Sequence, residues 1–447
     1  QFRHVGRRRI LRNAVWCSGA VLGRRSAFTE KRTGRSRIYA PDMERCRVCD
    51  SALREFLDLG RQPTANGFLR PAEVSDEFFF RLAVGVCESC TMVQLIDTVP
   101  QELRYHDGYR YHASGSAAHR AHFEKNALRF LETELTGPDP FLVEIGCNDG
   151  VMLSTIAQAG VRHLGVEPAG NVAELARAKG VEVLTGFFDE RTAGDIRMRH
   201  GQADVIFGAN TICHIEHIGS LFRGVDTLLA PHGVFVFEEP YLGTIVQRNA
   251  FDQIYDEHVF YFSVTSVQAM AERFGFELVD AQHTPLHGGE IRYTLARPGA
   301  RTPAPAVREL LAAERAARLT ERETLDRFAA QVARTRSELV GLLRDLRAQG
   351  RRVVGYGAPG KCSTVTNYCG IGPDLVPFVC DSTPAKQGCL TPGTHLPVRA
   401  PEAFTDPYPD YALLFAWNHA EEIMAKEEGF REAGGRWILY VPQVRIV

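Results

Sequence analysis

Two short segments hold side chains able to take a proton from carbon. Ala209–His217 reads ANTICHIEH and Phe251–Phe260 reads FDQIYDEHVF, which places His214, Tyr255, Glu257 and His258 just after apparent strands. An imidazole with a pKa near 6.5 can accept a proton near neutrality, and a phenol or second imidazole can donate to a developing oxyanion. One histidine alone is ordinarily a satisfied core or surface residue. Two with a tyrosine and a carboxylate, converging beside a cofactor loop, are equipment for enolising a ketone.

That loop is Glu144–Gly150 (EIGCNDG), between an apolar strand and a helix, and Glu167 closes the next strand about twenty residues on. Gly146 and Gly150 let the backbone approach a ligand, with Glu144, Cys147 and Asn148 beside them, and an acid at the second strand end can accept ribose hydroxyl protons. The three glycines of a pyrophosphate fingerprint are missing, which favours S-adenosylmethionine (SAM) over a dinucleotide. On this loop alone the dinucleotide stays open. A second loop, Gly355–Cys362 (GYGAPGKC), fits G-x-G-x-x-G and most of a P-loop, but Cys362 stands where magnesium needs a hydroxyl. Its N–H groups and Lys361 could hold a diphosphate without hydrolysis; a plain strand-to-helix turn is the alternative. Tyr105, His106, Tyr109, Tyr111, His112, Ser114 and Ser116 crowd one polar aromatic stretch, either surface decoration or a binding loop.

Cys46-x-x-Cys49 and Cys87-x-x-Cys90 form two knuckles with 37 residues between them. Together they supply four sulfurs to a closed tetrahedral zinc site, structural because no position is left for water or substrate. The cysteines total 11, an odd number that argues against a disulfide framework and for a reducing cytoplasm.

The elements that must position these groups follow from length and pattern. At 447 residues the chain suggests about three domains, and it has no apolar run long enough to span a bilayer. Residues 1–42 carry +9, which leaves −11 for the rest of a chain whose total is −2. The extension is expected to be upstream sequence from a misplaced start, disordered if translated, since the first methionine is Met43. The acidic remainder, with no basic stripe, argues against nucleic acid. From Phe141 strands alternate with helices, which implies a parallel sheet with ligands at the strand carboxyl ends. Residues 301–350 read as a helical connector, and a second, smaller α/β unit follows.

The motifs CRVC, REFLDLGRQP, VEIGCNDG, ANTICHI, FDQIYDEH, HGGEIRYTLAR, VTNYCGIGPDL and DYALLFAWNHAEEIMAKE resemble those of the zinc-containing, SAM-dependent sugar C-3′-methyltransferases that act on dTDP-3-amino-4-keto-deoxysugars. The likeness covers nearly everything from Cys46 onward. It implies an α/β chain in four parts: a basic extension (1–42), a small four-cysteine zinc-binding domain (43–110), a Rossmann-like SAM methyltransferase domain (111–300), and a connector with a second Rossmann-like domain for the nucleotide-sugar (301–447).

By the same resemblance, Cys46, Cys49, Cys87 and Cys90 bind structural zinc and His258 is the general base. Tyr255 and Glu257 flank it, His214 faces it, and Tyr109 lines the sugar site. Asn210, grouped with the cofactor residues, falls where the family positions its catalytic carboxylate. Tyr111, Ser114, Ser116, Lys361 and Asn367 are expected on the substrate. Relatives carry small residues in place of Pro359-Gly360, while Lys361 is retained. The implied reaction is methylation at C-3 of a dTDP-linked 4-keto sugar in antibiotic deoxysugar biosynthesis, by a cytoplasmic monomer bound to neither membrane nor nucleic acid. In it His258 removes the C-3 proton, Glu257 holds the imidazole tautomer, and Tyr255 and His214 stabilise the C-4 oxyanion. The competing readings are N- or O-methylation of a related sugar, a zinc-ribbon nucleic-acid methyltransferase or adaptor, and an idle sugar-binding scaffold.

Overall fold

A computed structural model describes residues 45–105, 109 and 111–447. The basic extension, Met43 and His106 lie outside the described residues. Strands Leu53–Pro63 (β1), Phe79–Cys87 (β2) and Val93–Leu95 (β3) pair antiparallel, with the cysteine knuckles at the end where Leu53 faces Cys87. The alternating LREFLDLG pattern of β1 buries Leu57 and Leu59 and leaves Asp58 and Gly60 outside, as period-two side chains on a half-covered sheet must.

The central sheet uses Phe141–Ile145 (β4), Arg162–Glu167 (β5), Val183–Thr185 (β6), Ala203–Ala209 (β7) and Leu229–Pro240 (β8). Phe260–Tyr261 (β9) instead joins the first sheet, pairing with β3, so the segment just after His258 is bound to the zinc module. Glu277–Thr284 (β10) and Glu290–Ala296 (β11) complete the central sheet in the order β10-β11-β8-β7-β4-β5-β6. The strands read from the sequence as a parallel series do pair parallel, and β10 and β11 extend their sheet. Five strands are parallel, but β11 runs antiparallel to both β8 and β10. The turn between β10 and β11 is too short for a crossover helix, and Gly288 and Gly289, at φ 93 and 124, close it as a hairpin.

Helices Pro305–Ala316 and Arg322–Ala348 form the connector; the second buries Leu325, Phe328, Val332, Leu339, Leu343 and Leu346 along one stripe. The last sheet comprises Val353–Tyr356 (β12), Val379–Cys380 (β13), Val398–Arg399 (β14), Tyr411–Leu414 (β15), Arg436–Leu439 (β16) and Arg445–Ile446 (β17), in the order β14-β13-β12-β15-β16-β17. All its pairs are parallel except β16-β17. One continuous hydrophobic cluster runs from Cys46 through Phe237 to Val441, so the three sheets share a core. Among the described residues no helix is long and apolar enough to cross a membrane.

Candidate active site and zinc site

The four cysteines converge. Sulfurs of Cys46 and Cys90 lie 3.6 Å apart, those of Cys49 and Cys87 3.4 Å, and those of Cys49 and Cys90 3.6 Å. A tetrahedral zinc with sulfur at about 2.3 Å requires edges of about 3.8 Å, so the cluster fits the ion with little adjustment. The N–H of Val48 points at Cys46 Sγ, those of Ser89 and Cys90 at Cys87 Sγ, and Gln94 Nε2 lies 3.1 Å from Cys46 Sγ. Such donors stabilise thiolates. Cys213, His214 and His258 also cluster within 4.8 Å. There the rings of His214 and His258 stack at 5.2 Å with planes 25° apart.

A cavity of about 810 Å³ opens at the carboxyl ends of the central strands. Its cofactor end is built by the loop after β4. Gly146 has φ 70, and a Cβ there would lie 2.3 Å from Thr211 Oγ1, so only glycine lets this backbone pass. Glu167 accepts the N–H groups of Asn148 (3.0 Å) and Ala169 (2.9 Å), which fixes its carboxylate at the mouth of β5. Glu144, Gly146, Cys147, Asn148, Glu167 and Asn210 all line the cavity, together with Phe187 and Phe188 after β6. An acid beside an apolar wall and a glycine cradle suits an adenosine. Burial, with the charges of Asp149 and Glu167 beside it, pushes the Glu144 carboxyl well above the usual carboxylate range.

Two expectations are corrected, Gly150 on the cofactor and Ser114 on the substrate. Gly150 does not line the cavity; a Cβ there would meet Ala176 and Val181, so it serves helix packing. Ser114 also stays off the lining and bonds through its hydroxyl to Asp149. Its neighbour Ser116 does line the cavity, with a buried hydroxyl that has no hydrogen-bond partner among the described residues. Tyr111 lines it too, and the Asn148 amide donates to the Tyr111 carbonyl, binding the aromatic loop to the cofactor loop.

The end that holds His214 and His258 depends on two segments that meet backbone to backbone. Val259 N–H donates to the Cys213 carbonyl at 2.8 Å, and Glu239 Oε1 accepts the N–H groups of Thr211, Ile212 and Cys213. The guanidinium of buried Arg104 reaches the carbonyls of His214 (3.2 Å), Asp256 (3.5 Å) and Glu257 (3.4 Å). Asp252 accepts Trp417 Nε1 and Tyr440 Oη, and Thr364 donates to the Ile254 carbonyl, so the C-terminal module also grips the loop.

His258 Nδ1 lies 3.0 Å from the Gln253 carbonyl and Nε2 lies 2.8 Å from Tyr255 Oη. A carbonyl can only accept, so Nδ1 carries the proton and Nε2 offers a lone pair. Here the expected role of Glu257 is corrected: the Gln253 carbonyl, not Glu257, fixes the tautomer. Glu257 instead accepts from Asn66 Nδ2 at 2.7 Å and from Tyr109 Oη at 3.4 Å. Burial lowers His258 to about 3 and raises the Glu257 carboxyl, helped by the Asp256 charge, to about 7. His214 Nδ1 pairs with Tyr105 Oη at 2.7 Å, while its Nε2 is buried with no hydrogen-bond partner among the described residues; burial, then His258 and Arg104, lower its pKa well below the usual imidazole value.

The C-terminal wall carries Lys361 in the first turn of helix Gly360–Cys369, its Nζ 3.2 Å from Asn418 Oδ1 and 4.8 Å above the Trp417 ring. Beside it the rings of His119 and His287 lie 4.7 Å apart, with His419 at 6.2 Å from His119. The expectation for Asn367 is corrected: two turns along the helix, its amide donates to the carbonyls of Ser363 and Pro392, away from the cavity. Sequence reasoning missed Asn66, Gln253, Glu239 and the imidazoles of His119, His287 and His419. His287 and His419 lie within quoted motifs, but nothing in their spacing marked them for a shared cavity.

Fold and site define a SAM-dependent methyltransferase with a structural zinc module. Residues 46–105 match a zinc binding domain family, residues 117–281 a methyltransferase domain, and residues 285–442 a C-methyltransferase C-terminal domain. The C-methyltransferase NovU of Streptomyces niveus is 36% identical over 410 residues, which span 91% of this chain and 97% of that protein. The chain belongs to this C-methyltransferase family. A ubiquinone biosynthesis O-methyltransferase of Haemophilus ducreyi is 27% identical over 118 residues, 24% of this chain and 50% of that protein. A solved SAM-dependent methyltransferase from Anabaena variabilis covers 38% of this chain and 83% of its own, with 17% identity and a TM-score of 0.32.

Proposed function

We propose that this enzyme methylates C-3 of a dTDP-linked 4-keto-deoxysugar, with or without a 3-amino group, through an enolate. The observation that carries the reading is the neutral His258 imidazole, protonated at Nδ1 and accepting at Nε2 from the Tyr255 hydroxyl, stacked on His214 in a buried wall of the cofactor cavity. Bound SAM supplies an electrophilic methyl group and leaves as the neutral thioether. His258 Nε2 takes the C-3 proton, and the C–H electron pair moves into the enolate. Tyr255 O–H, which rests on Nε2, turns to the C-4 oxygen as the proton arrives. With Tyr105 donating to Nδ1, His214 carries its proton on Nε2 and donates to the same oxygen. The enolate carbon then forms the new C–CH3 bond and the ketone re-forms. Lys361, the first N–H groups of its helix and the nearby imidazoles face the diphosphate.

In this reading residues 43–110 hold zinc, 111–300 perform the transfer, and 301–447 carry the nucleotide. The chain works as a cytoplasmic monomer on a small molecule and not on nucleic acid. The test is incubation with SAM and a panel of dTDP-4-keto sugars, followed by NMR location of the methyl group. A new C–CH3 at C-3, with washout of a C-3 deuteron, supports the proposal. A methyl on oxygen or nitrogen without washout replaces it with the N- or O-methylation reading.

A further inference from the structure

The zinc module reaches the catalytic segment from two sides. At the end of β1 remote from the cysteines, Thr64–Phe68 makes a tight turn in which Gly67 N–H donates to the Thr64 carbonyl and Phe68 N–H to that of Asn66. This turn presents Ala65 N–H to Asp256 Oδ1 at 2.8 Å and Asn66 Nδ2 to Glu257 Oε1 at 2.7 Å. On its other side the Ala65 carbonyl accepts Ser363 Oγ at 3.2 Å, and Gly360 lies against Asn66 so closely that a Cβ there would be 3.4 Å from its amide nitrogen. The second approach runs through β3. Gln94 donates to Cys46 Sγ and stands in register with Phe260, and Leu95 N–H donates to the Val259 carbonyl, one residue beyond His258.

The Asn66 side chain, carried by the turn after β1, both lines the cavity and bonds a group of the reaction centre. The amide can donate only through Nδ2, so the contact is specific to an accepting carboxylate. Tyr109 Oη, the other partner of Glu257, is likewise a donor, and both bonds favour the ionised form.

We propose that Asn66 is a positioning residue of the methyl-transfer site: its amide fixes the Glu257 carboxylate against the cavity, and the zinc module thereby belongs to the catalytic machinery. This rests on the reading of Glu257 as part of that machinery. The ionisable groups facing Glu257 are Asp256 and Tyr255 from its own loop, Arg104, Tyr105, Tyr109 and Tyr111 from the preceding segment, and Cys213 from the other catalytic segment. Asn66 is neutral, so its replacement by alanine changes a donor and no net charge.

The experiment compares Asn66→Ala, Asn66→Asp, Glu257→Gln and the Asn66→Ala/Glu257→Gln double variant in the full chain, with C-3 deuteron washout and turnover counted per SAM-binding site. Counting per site keeps partial unfolding from imitating the effect. Expected are a tenfold or greater fall in kcat for Asn66→Ala with unchanged SAM affinity, and a larger fall for the isosteric Asn66→Asp, which sets two acceptors against each other. The rate-against-pH limb near 7 moves upward in Asn66→Ala, because the lost donor had favoured the carboxylate. Asn66→Ala in the Glu257→Gln background changes the rate less than twofold. If Glu257→Gln is impaired while both Asn66 variants keep wild-type rates and pH limbs, the proposal fails alone. If the Asn66 loss persists undiminished in the Glu257→Gln background, Asn66 acts elsewhere and the proposal fails. Wild-type rates in Glu257→Gln overturn the reading of Glu257 and the proposal with it.

Discussion

Tyr255 Oη donates to His258 Nε2 at 2.8 Å, because the Gln253 carbonyl on the far side of the ring claims the Nδ1 proton. The hydrogen bond occupies the Nε2 lone pair from one side, and in the proposed reaction it keeps a donor beside that nitrogen for the oxygen that gains charge. Substituting His258 with Asn should lower turnover by about 10²–10⁴-fold, the range for loss of a general base. SAM affinity, read by calorimetry, should stay within twofold, since His258 lies in the loop after Gln253 and Gly146 and Glu167 lie at the ends of β4 and β5. Near-normal turnover would remove His258 from the role of base.

The pH profile should be set by carboxylates, not by imidazole. Burial holds His258 near 3, so it is neutral throughout the working range, whereas Asp256 and Glu257 are raised to about 6 and about 7. These two titrate as a coupled pair. Both bonds to Glu257 come from donors, so the ionised form is the one the site holds. The sign follows: kcat/KM rises with pH through about 7 and then levels, and it falls as the pair takes up protons below that. Glu257→Gln should lack this limb. A limb unchanged in that variant would assign it to another group.

Gly146→Ala should cripple cofactor binding. The substitution forces an L-residue to φ 70 and sets its Cβ 2.3 Å from Thr211 Oγ1 and 2.6 Å from Thr211 Cγ2. The backbone penalty is about 1–2 kcal/mol, and the clash adds to it. A rise of tenfold or more in the SAM dissociation constant is expected. Adding Thr211→Ala should recover only part, since it removes the clashing atoms but leaves the strained φ. Unchanged SAM affinity in Gly146→Ala would show that the loop gives way freely.

Zinc should be stoichiometric and structural. Metal analysis should find one zinc per chain, and replacing Cys49 and Cys87 together by Ser should remove it. The zinc module shares one hydrophobic cluster with the rest of the protein, so losing the metal should lower the thermal midpoint of the whole and not of a detached part. A metal-free chain with the same midpoint and turnover would contradict this.

Much of the chemistry was legible in the sequence because it depends on neighbours along the chain. The C-x-x-C knuckles can present two sulfurs to one point from a turn, and E-x-G-x-N-D-G after a strand needs only its own backbone to make a loop. The alternation of β1 and the stripe of Arg322–Ala348 reflect local geometry in the same way. These features determined a zinc module, a cofactor loop and two α/β units. Gly150, Ser114 and Asn367 had suitable types in suitable motifs, yet packing turned the first toward Ala176 and Val181, and hydrogen bonds took the other two to Asp149 and Pro392.

Tertiary structure alone decided how His258 is held. The Gln253 carbonyl that fixes His258 is a backbone atom with no sequence signature, and Asn66 meets Glu257 across 191 residues. The antiparallel turn of β10 and β11 and the capture of β9 by the zinc sheet likewise depend on partners distant in sequence. Residue type sets which protons a side chain can give or take, but burial and the partner across the fold set whether it does so. His258 held near 3 and Glu257 raised to about 7 are therefore properties of the assembled protein, and neither value is carried by the letters of the motif.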